Sequence, residues 1–501
     1  MFIKTIKNSA RNLFILIAVF LAPYILHAQK KNAITKKYGP SQLIADANIL
    51  KLVVLKMHPV VGVYKSKDYH EKLFDDLIAG LKDSLTEKEF RIRLKFLIGN
   101  LHCGHSEVIQ SRAYTKAVRP LELNFLPYYF VPLNNKLYVA MTVNRKRDSL
   151  YKPYTEILKI NNISSDSICN YTRHFFTSDG YIASGKNIYM RGAFNYFYPS
   201  LFGRPDSFLV ESKYNNNTRS NFIKAIKLID LPVMSLMPKE DSTFKCYRRA
   251  NIKTCYLDEN KNALVLKIKS FKASHYKKVY RKIFRQLKKK NVENLIIDLR
   301  YNGGGNLMNS YRLLSYLLDS NTTATLKTHV KNYPLRKYTH GNLLFKFTRL
   351  GLNFIGSKKR TGDSVWYTQK IKPRKKYHFD KKIYVLINGG TFSASCMVAA
   401  YLNQTNKAVF IGAETSRARE GCTAGITPYY ILPNTKIKIR VPAFRIIHDI
   451  NTRPTGRGIL PDYEVIYDIE SILQRKDLEI TKVKELIIKC PYQSAGEIRN
   501  K

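Results

Sequence analysis

The sequence predicts an α/β core preceded by a helical N-terminal module and a small β-rich module. Three observations carry that expectation. From about residue 250 onward, apolar runs of strand length alternate with amphipathic stretches of helix length, the texture of parallel βαβ units. From about 120 to 230, alternating runs are punctuated by Asn, Gly and Pro, as in a module of short strands. Between Ser41 and Leu101 the apolar residues recur at helical spacing instead.

In chain order, "TEKEFRIRLKFLIGNLHCGH" pairs Thr86 and Glu89 at capping-box spacing, and Phe90, Leu94, Leu97, Ile98 and Leu101 form the stripe of that helix. The stretches "LELNFLPYYFVPL", "KLYVAMTV", "EILKINNISSDSI" and "DSFLVESKY" read as strands. In the core, "ALVLKIKSF" is a strand and "SHYKKVYRKIFRQLKKK" a helix with Tyr276, Val279, Ile283 and Leu287 on one side. "NLIIDLR" and "KIYVLING" are buried strands, each followed by a helix, "LMNSYRLLSYLLD" and "SASCMVAAYLNQ"; "AVFIG" is a further strand. The basic connection at 320–380 carries an apolar piece, "NLLFKFTRLGLNFIG", read as a lid or as a peripheral helical insertion. The expected modules are 29–118 (helical), 119–235 (β-rich) and 250–470 (core), with a tail at 471–501.

Composition bounds the partners. A chain of 501 residues with 85 Lys+Arg against 37 Asp+Glu has a net charge of +48. No RNP-like, zinc-finger or helix-turn-helix signature accompanies the charge, so no nucleic-acid partner is expected. Association with an anionic surface stays open beside the plainer reading of solvated surface lysines. At residues 1–28, Lys4, Lys7 and Arg11 precede an apolar run from Leu13 to Leu26 that ends near Ala28. That is the pattern of a secretory signal peptide, implying a periplasmic or extracellular protein; an uncleaved anchor is the alternative. The seven cysteines contain no CxxC pair, so neither a zinc site nor any cofactor is expected.

Three stretches hold residues suited to chemistry. "IIDLRYNGGGNLMNSY" places Asn302-Gly303-Gly304-Gly305 between a strand and a helix, where bare backbone amides can approach a bound oxyanion. A tight strand-to-helix turn is the plainer use of such glycines. "NGGTFSASCMVAAYL" presents Ser393, Ser395 and Cys396 at a helix start, where a hydroxyl is either an N-cap or a nucleophile. "HCGHSEV" sets His105, with His102 before it, on a glycine-flanked loop after a helix. A loop histidine is often only a surface residue, and it is also the base a serine nucleophile needs.

Taken together, "NLIIDLRYNGGG", "IYVLINGGTFSASCMVAAYL", "VFIGAETS" and "TGRGILPDYEV" resemble, in order and spacing, the core of the C-terminal-processing (tail-specific) serine peptidases and the related tricorn-core peptidases. "YTEILKINNISSDSI" resembles their PDZ-like module, and "CGHS" the D/C-G-H-T loop of the tricorn-like branch. The resemblance implies a ClpP/crotonase-like core that hydrolyses peptide bonds through an acyl-enzyme. It aligns Ser393 with the nucleophile and assigns the oxyanion hole to Ala394 and one of Gly303, Gly304 or Gly305, with Gly304 preferred. One branch uses a lysine base after the nucleophile; that position falls at about Ala418, between Arg417 and Arg419, and a guanidinium keeps its proton. The tricorn-like branch instead uses a histidine from its G-H loop, and His105 matches it, so the resemblance implies His105 as the base. Glu414 and Asp449 are candidates to orient it, whereas Asp462 reads as a structural turn residue. Departures from the family pattern are the arginines of "SRARE", which suit acidic or carboxylate-terminated peptides or are solvated loop charges, and Cys396, where Glu is common. If the His105 and Ser393 loops meet, a Cys103–Cys422 disulfide becomes feasible.

The expected function is an exported serine peptidase acting on proteins or peptides, with the oligomeric state open. The competing readings are an inactive peptide-binding protein on the same fold and acyl-CoA chemistry; Ser393 and the leader argue against the latter.

Overall fold

The computed structural model describes residues 33–489, except 144–149, 230, 233, 241, 330–338, 341–356, 362–363, 406, 426, 449 and 451–455. The segment read as a signal peptide, the apolar piece at 342–356 and the candidate acid Asp449 lie outside the described residues. No described helix is long and apolar enough to cross a membrane.

The runs "ALVLKI", "NLIID", "KIYVLI" and "AVFIG" are apolar almost throughout because both faces of their strands are covered. They form the parallel centre of a seven-stranded sheet. Its order is Lys245–Tyr247, Ile252–Tyr256, Ala263–Ile268, Asn294–Asp298, Lys382–Ile387, Ala408–Gly412, Tyr463–Glu464. Leu264, Leu266, Leu295 and Ile297 meet helices Tyr276–Lys289, Leu307–Leu314 and Ala394–Leu402 on one face. The alternate residues Val265, Ile296 and Tyr384 meet Val483 of helix Leu478–Lys489 on the other. Along Tyr276–Lys289 the buried residues are Tyr276, Tyr280, Ile283, Phe284 and Leu287. Each large apolar side chain buried there contributes about 1.5–3 kcal/mol.

The segment expected as a C-terminal tail is thus partly structural. Arg300 of the core donates to Asp298, Asp477 and Glu479, all at 2.7–3.0 Å, and so ties that helix to the loop after Asn294–Asp298.

The basic connection is also different from expectation where it is described. Thr322–His329 pairs antiparallel with Ser364–Ile371 and with Phe444–His448, which in turn pairs with Gly421–Ala424. These pieces are strands of a five-stranded sheet rather than a helical insertion. In the β-rich module, strands between Tyr128 and Lys224 form an antiparallel sheet. That module also contains helices Ser165–Arg173 and Ser184–Phe202, which the sequence pattern did not suggest. The second holds Gly185, Gly192 and Pro199, all poor helix formers, and is stabilised by burying Met190, Phe194 and Tyr198.

The N-terminal helices Pro40–Met57, Lys67–Ala79 and Glu87–Gly99 share one apolar cluster with Tyr430, Leu432, Ile437 and Ile439. Strand Glu107–Ile109 pairs with Lys438–Arg440. Asp46 reinforces the join by accepting from the Thr435 amide at 2.9 Å and its hydroxyl at 2.6 Å. Packing of these two distant segments brings the His105 loop to the core.

Candidate active site

Both glycine-rich loops leave the carboxyl ends of neighbouring parallel strands, where open α/β sheets place ligands. Side chains zip them together. Asn388 Oδ1 accepts from the Tyr301 and Gly390 amides at 3.1 and 2.9 Å. The Thr391 hydroxyl donates to Leu299 O at 2.9 Å, and the Phe392 amide to Asn302 O at 3.0 Å. Asn302 in turn donates to Ile268 O and accepts from the Gly304 amide at 2.9 Å.

Ser393 sits at the N-cap of Ala394–Leu402 with φ 56° and ψ −121°, and its side chain caps nothing. A non-glycine residue held at positive φ is strained, and such strain persists where the surroundings over-determine it. Ser395 and Cys396 lie buried in the helix behind it. The Ala394 amide is the first of the helix and has no acceptor along it.

Among the three loop glycines, Gly304 is packed beneath Ser393, so that an added Cβ would come within 2.6 Å of the Ser393 Cβ. Its amide is already donated to Asn302, so the preference for Gly304 as an oxyanion donor is corrected. Gly303 is exposed, faces open space and lines the cleft.

The His105 loop follows helix Glu87–Gly99, whose capping box between Thr86 and Glu89 is formed. His58 Nε2 donates to the Ser106 hydroxyl at 2.7 Å while its Nδ1 accepts from the Val60 amide, so His58 buttresses the loop as a neutral ring. His105 stacks on Phe392 at 4.4 Å, and its Nε2 lies 3.3 Å from Ser393 Oγ. Burial, with Arg417 and Arg440 nearby, lowers its pKa to about 3, so the ring is neutral above that pH. Its Nδ1 is buried without a hydrogen-bond partner among the described residues.

An acid within 4.8 Å of a His105 ring nitrogen is Asp179, which the sequence reading missed. It lies in the loop between the two unforeseen helices and is 1% exposed. Its Oδ1 accepts from the Gly104 amide at 2.7 Å, and its Oδ2 is buried and unpartnered among the described residues. Burial raises its pKa to about 7. His102 fastens this loop by donating to Gly180 O at 2.6 Å. A ring nitrogen of His105, an Asp179 oxygen and Cys422 Sγ lie within 4.8 Å of one another, the set of donors best placed among the described residues to hold a cation. "SDG" carried no signal except its Asp-Gly turn chemistry.

Other expectations are corrected. Glu414 is engaged by Arg457 at 2.8 and 3.1 Å and by the Gly458 amide at 2.9 Å, away from His105. Asp462, by contrast, agrees with its reading as a structural turn residue, accepting from the Phe410 amide at 2.7 Å. Arg417 does not face the cleft. It is fully buried and donates to Ser393 O at 2.6 Å and to His448 Nε2 at 3.0 Å. Cys103 and Cys422 are free thiols. Cys103 contacts Thr423 Oγ1 at 2.7 Å.

The cleft holding Ser393 and His105 has a volume of about 600 Å³. Its walls carry Phe175, Phe176, Phe197 and Tyr189 beside Lys95 and Lys272.

A serine hydroxyl beside a neutral imidazole, over a glycine loop, defines a site of serine-hydrolase type. Residues 262–465 match the model of peptidase family S41. That match, with the site beside it, makes the protein a serine-type peptidase similar to the C-terminal-processing peptidases. The fold is similar to that of mature CPAF at 15% identity and TM-score 0.61, covering 90% of this chain and 97% of that one. It is likewise similar to mature CPAF complexed with lactacystin, at 14% identity and TM-score 0.63, covering 90% and 98%. A CPAF serine-to-alanine mutant gives 15% identity and TM-score 0.64, covering 90% and 97%.

Proposed function

We propose that the protein is an exported serine peptidase in which Ser393, His105 and Asp179 cleave peptide bonds through an acyl-enzyme. The observation that carries this is the 3.3 Å approach of His105 Nε2 to the hydroxyl of a strained Ser393. Ser393 Oγ attacks the scissile carbonyl carbon as Nε2 takes its proton, and the carbonyl electrons move onto oxygen. The Ala394 and Gly303 amides face that oxyanion. Its collapse breaks the C–N bond, and the imidazolium returns the proton to the departing amine. Water then repeats the sequence on the acyl-serine and restores the hydroxyl.

Asp179 acts across the ring. An ionised carboxylate opposite Nδ1 favours the tautomer that leaves Nε2 free and stabilises the imidazolium formed on attack. The carboxylate and the ring, whose donor atoms lie within 4.8 Å, draw together when substrate excludes water, as catalytic contacts tighten in the loaded site. The leader at 1–28 supports export, and the β-rich segment serves as a PDZ-like module.

Stopped-flow hydrolysis of an activated peptide ester tests the reaction. A burst of leaving group equal to the enzyme concentration, absent in Ser393→Ala, is the expected result; a burst that persists in Ser393→Ala would overturn it. Cell fractionation with N-terminal sequencing tests export, which cytoplasmic recovery of an intact N-terminus would contradict.

A further inference from the structure

We infer that Lys95 forms a carboxylate-recognising subsite in the cleft, selecting substrates that present a carboxylate beside an apolar side chain. This rests on the cleft being the peptide-binding site proposed above.

Lys95 lies on helix Glu87–Gly99 and lines the cleft together with Ser393 and His105. Among the described residues its ammonium has no carboxylate partner within ion-pair distance, and it lies over the face of Phe197, 5.4 Å away. Glu107, the acid whose charge acts on Lys95, is paired with Arg440 at 3.1 Å. Burial lowers the Lys95 pKa, with Arg91 adding repulsion and Glu107 offsetting it in part. A cation taken partly out of water without a counter-ion is costly, and a ligand carboxylate removes that cost.

The surroundings define the rest of the ligand. Phe175, which is buried, and the half-buried Phe176 and Phe197 give the cleft an apolar wall, so the carboxylate is bound beside hydrocarbon. Arg440 is neutralised by Glu107, and Arg417 is sealed behind Ser393, so neither competes for the role. Lys272, from the segment next to the glycine loop, is the other cation in the cleft for which no ion pair occurs among the described residues. The carboxylate has two sources, a chain terminus or an Asp/Glu side chain.

The test compares matched peptides carrying one aromatic residue. One pair has a free or an amidated C-terminus and no acidic side chain; the other is amidated and carries Glu or Gln. Wild type should favour one carboxylate form by about tenfold in KM, the scale of one charge-assisted contact. Whichever pair shows it identifies the source. Lys95→Met should collapse that ratio, Lys95→Arg should retain it, and Lys95→Glu should invert it. Equal KM values within both pairs in wild type, or a ratio that survives Lys95→Met, would overturn the inference. The same peptides, fluorescently labelled, are also titrated against Ser393→Ala by anisotropy. Carboxylate-dependent binding without any wild-type cleavage would sink the catalytic reading alone; cleavage indifferent to carboxylates would sink this inference alone.

Discussion

The Asp179 carboxylate accepts a hydrogen bond at 2.7 Å from the amide of Gly104, the residue immediately before His105. A buried acid is thereby fixed to the backbone that carries the proposed base. The group with a pKa near neutrality is then the acid, raised by burial to about 7, and not the imidazole, lowered to about 3.

The pH dependence follows from those two values. His105 is already a free base above about pH 3, whereas Asp179 ionises as pH rises through about 7. The value of kcat/KM should therefore climb through about pH 7, a limb governed by Asp179. Asp179→Asn should flatten that limb and reduce kcat by roughly 10²–10⁴-fold. Pre-steady-state rates from pH 5 to about 9 on both proteins check this.

The same acid limits stability. A carboxyl whose folded pKa lies above its unfolded value binds protons more tightly in the folded state, so stability is lost as pH rises from about 4 to 7. Asp179→Asn should therefore raise the Tm at pH 8 by roughly 2–4 °C while lowering activity. Calorimetry of the two proteins at pH 5 and about pH 8 reads the difference, which should shrink at the lower pH.

Gly304 and Gly303 should respond differently to alanine. At Gly304, φ is +92° and the new Cβ would lie 2.6 Å from Ser393 Cβ and 2.8 Å from the Ala394 amide. Gly304→Ala should cost about 1–3 kcal/mol and abolish turnover. At Gly303 nothing stands within 4 Å, so Gly303→Ala should fold like wild type. Urea unfolding and steady-state kinetics on the pair distinguish them.

Arg417 holds the Ser393 carbonyl at 2.6 Å from a fully buried position. Arg417→Met should lower kcat more than it changes KM, with a loss of about 2–4 kcal/mol in stability. Peptide kinetics together with chemical denaturation measure both.

Cys103 and Cys422 should both alkylate in denaturant without reductant. Mass mapping that recovers a peptide linking the two would contradict their free state.

Much of this was legible in sequence because it is local. The buried runs and glycine punctuation of the core specify parallel strands and the loops that end them, while the choice of Ser393 and Ala394 within those loops came from the family resemblance. His105 was reachable through the resemblance of its glycine-flanked loop to that of the tricorn-like branch. What failed depends on tertiary contact. Asp179 lies in a loop between two helices, one containing Gly185, Gly192 and Pro199, that form because their apolar sides are buried. Glu414 looked suitable beside the nucleophile in sequence, yet it is neutralised by Arg457. Arg417 seemed a cleft cation, and only packing turns it inward.

Mapping of a fluorophosphonate adduct tests the central claim most directly. The account predicts one phosphonylated residue, Ser393, with labelling lost in Ser393→Ala and strongly slowed in His105→Ala. An adduct on another residue, or full-rate labelling without His105, would contradict it.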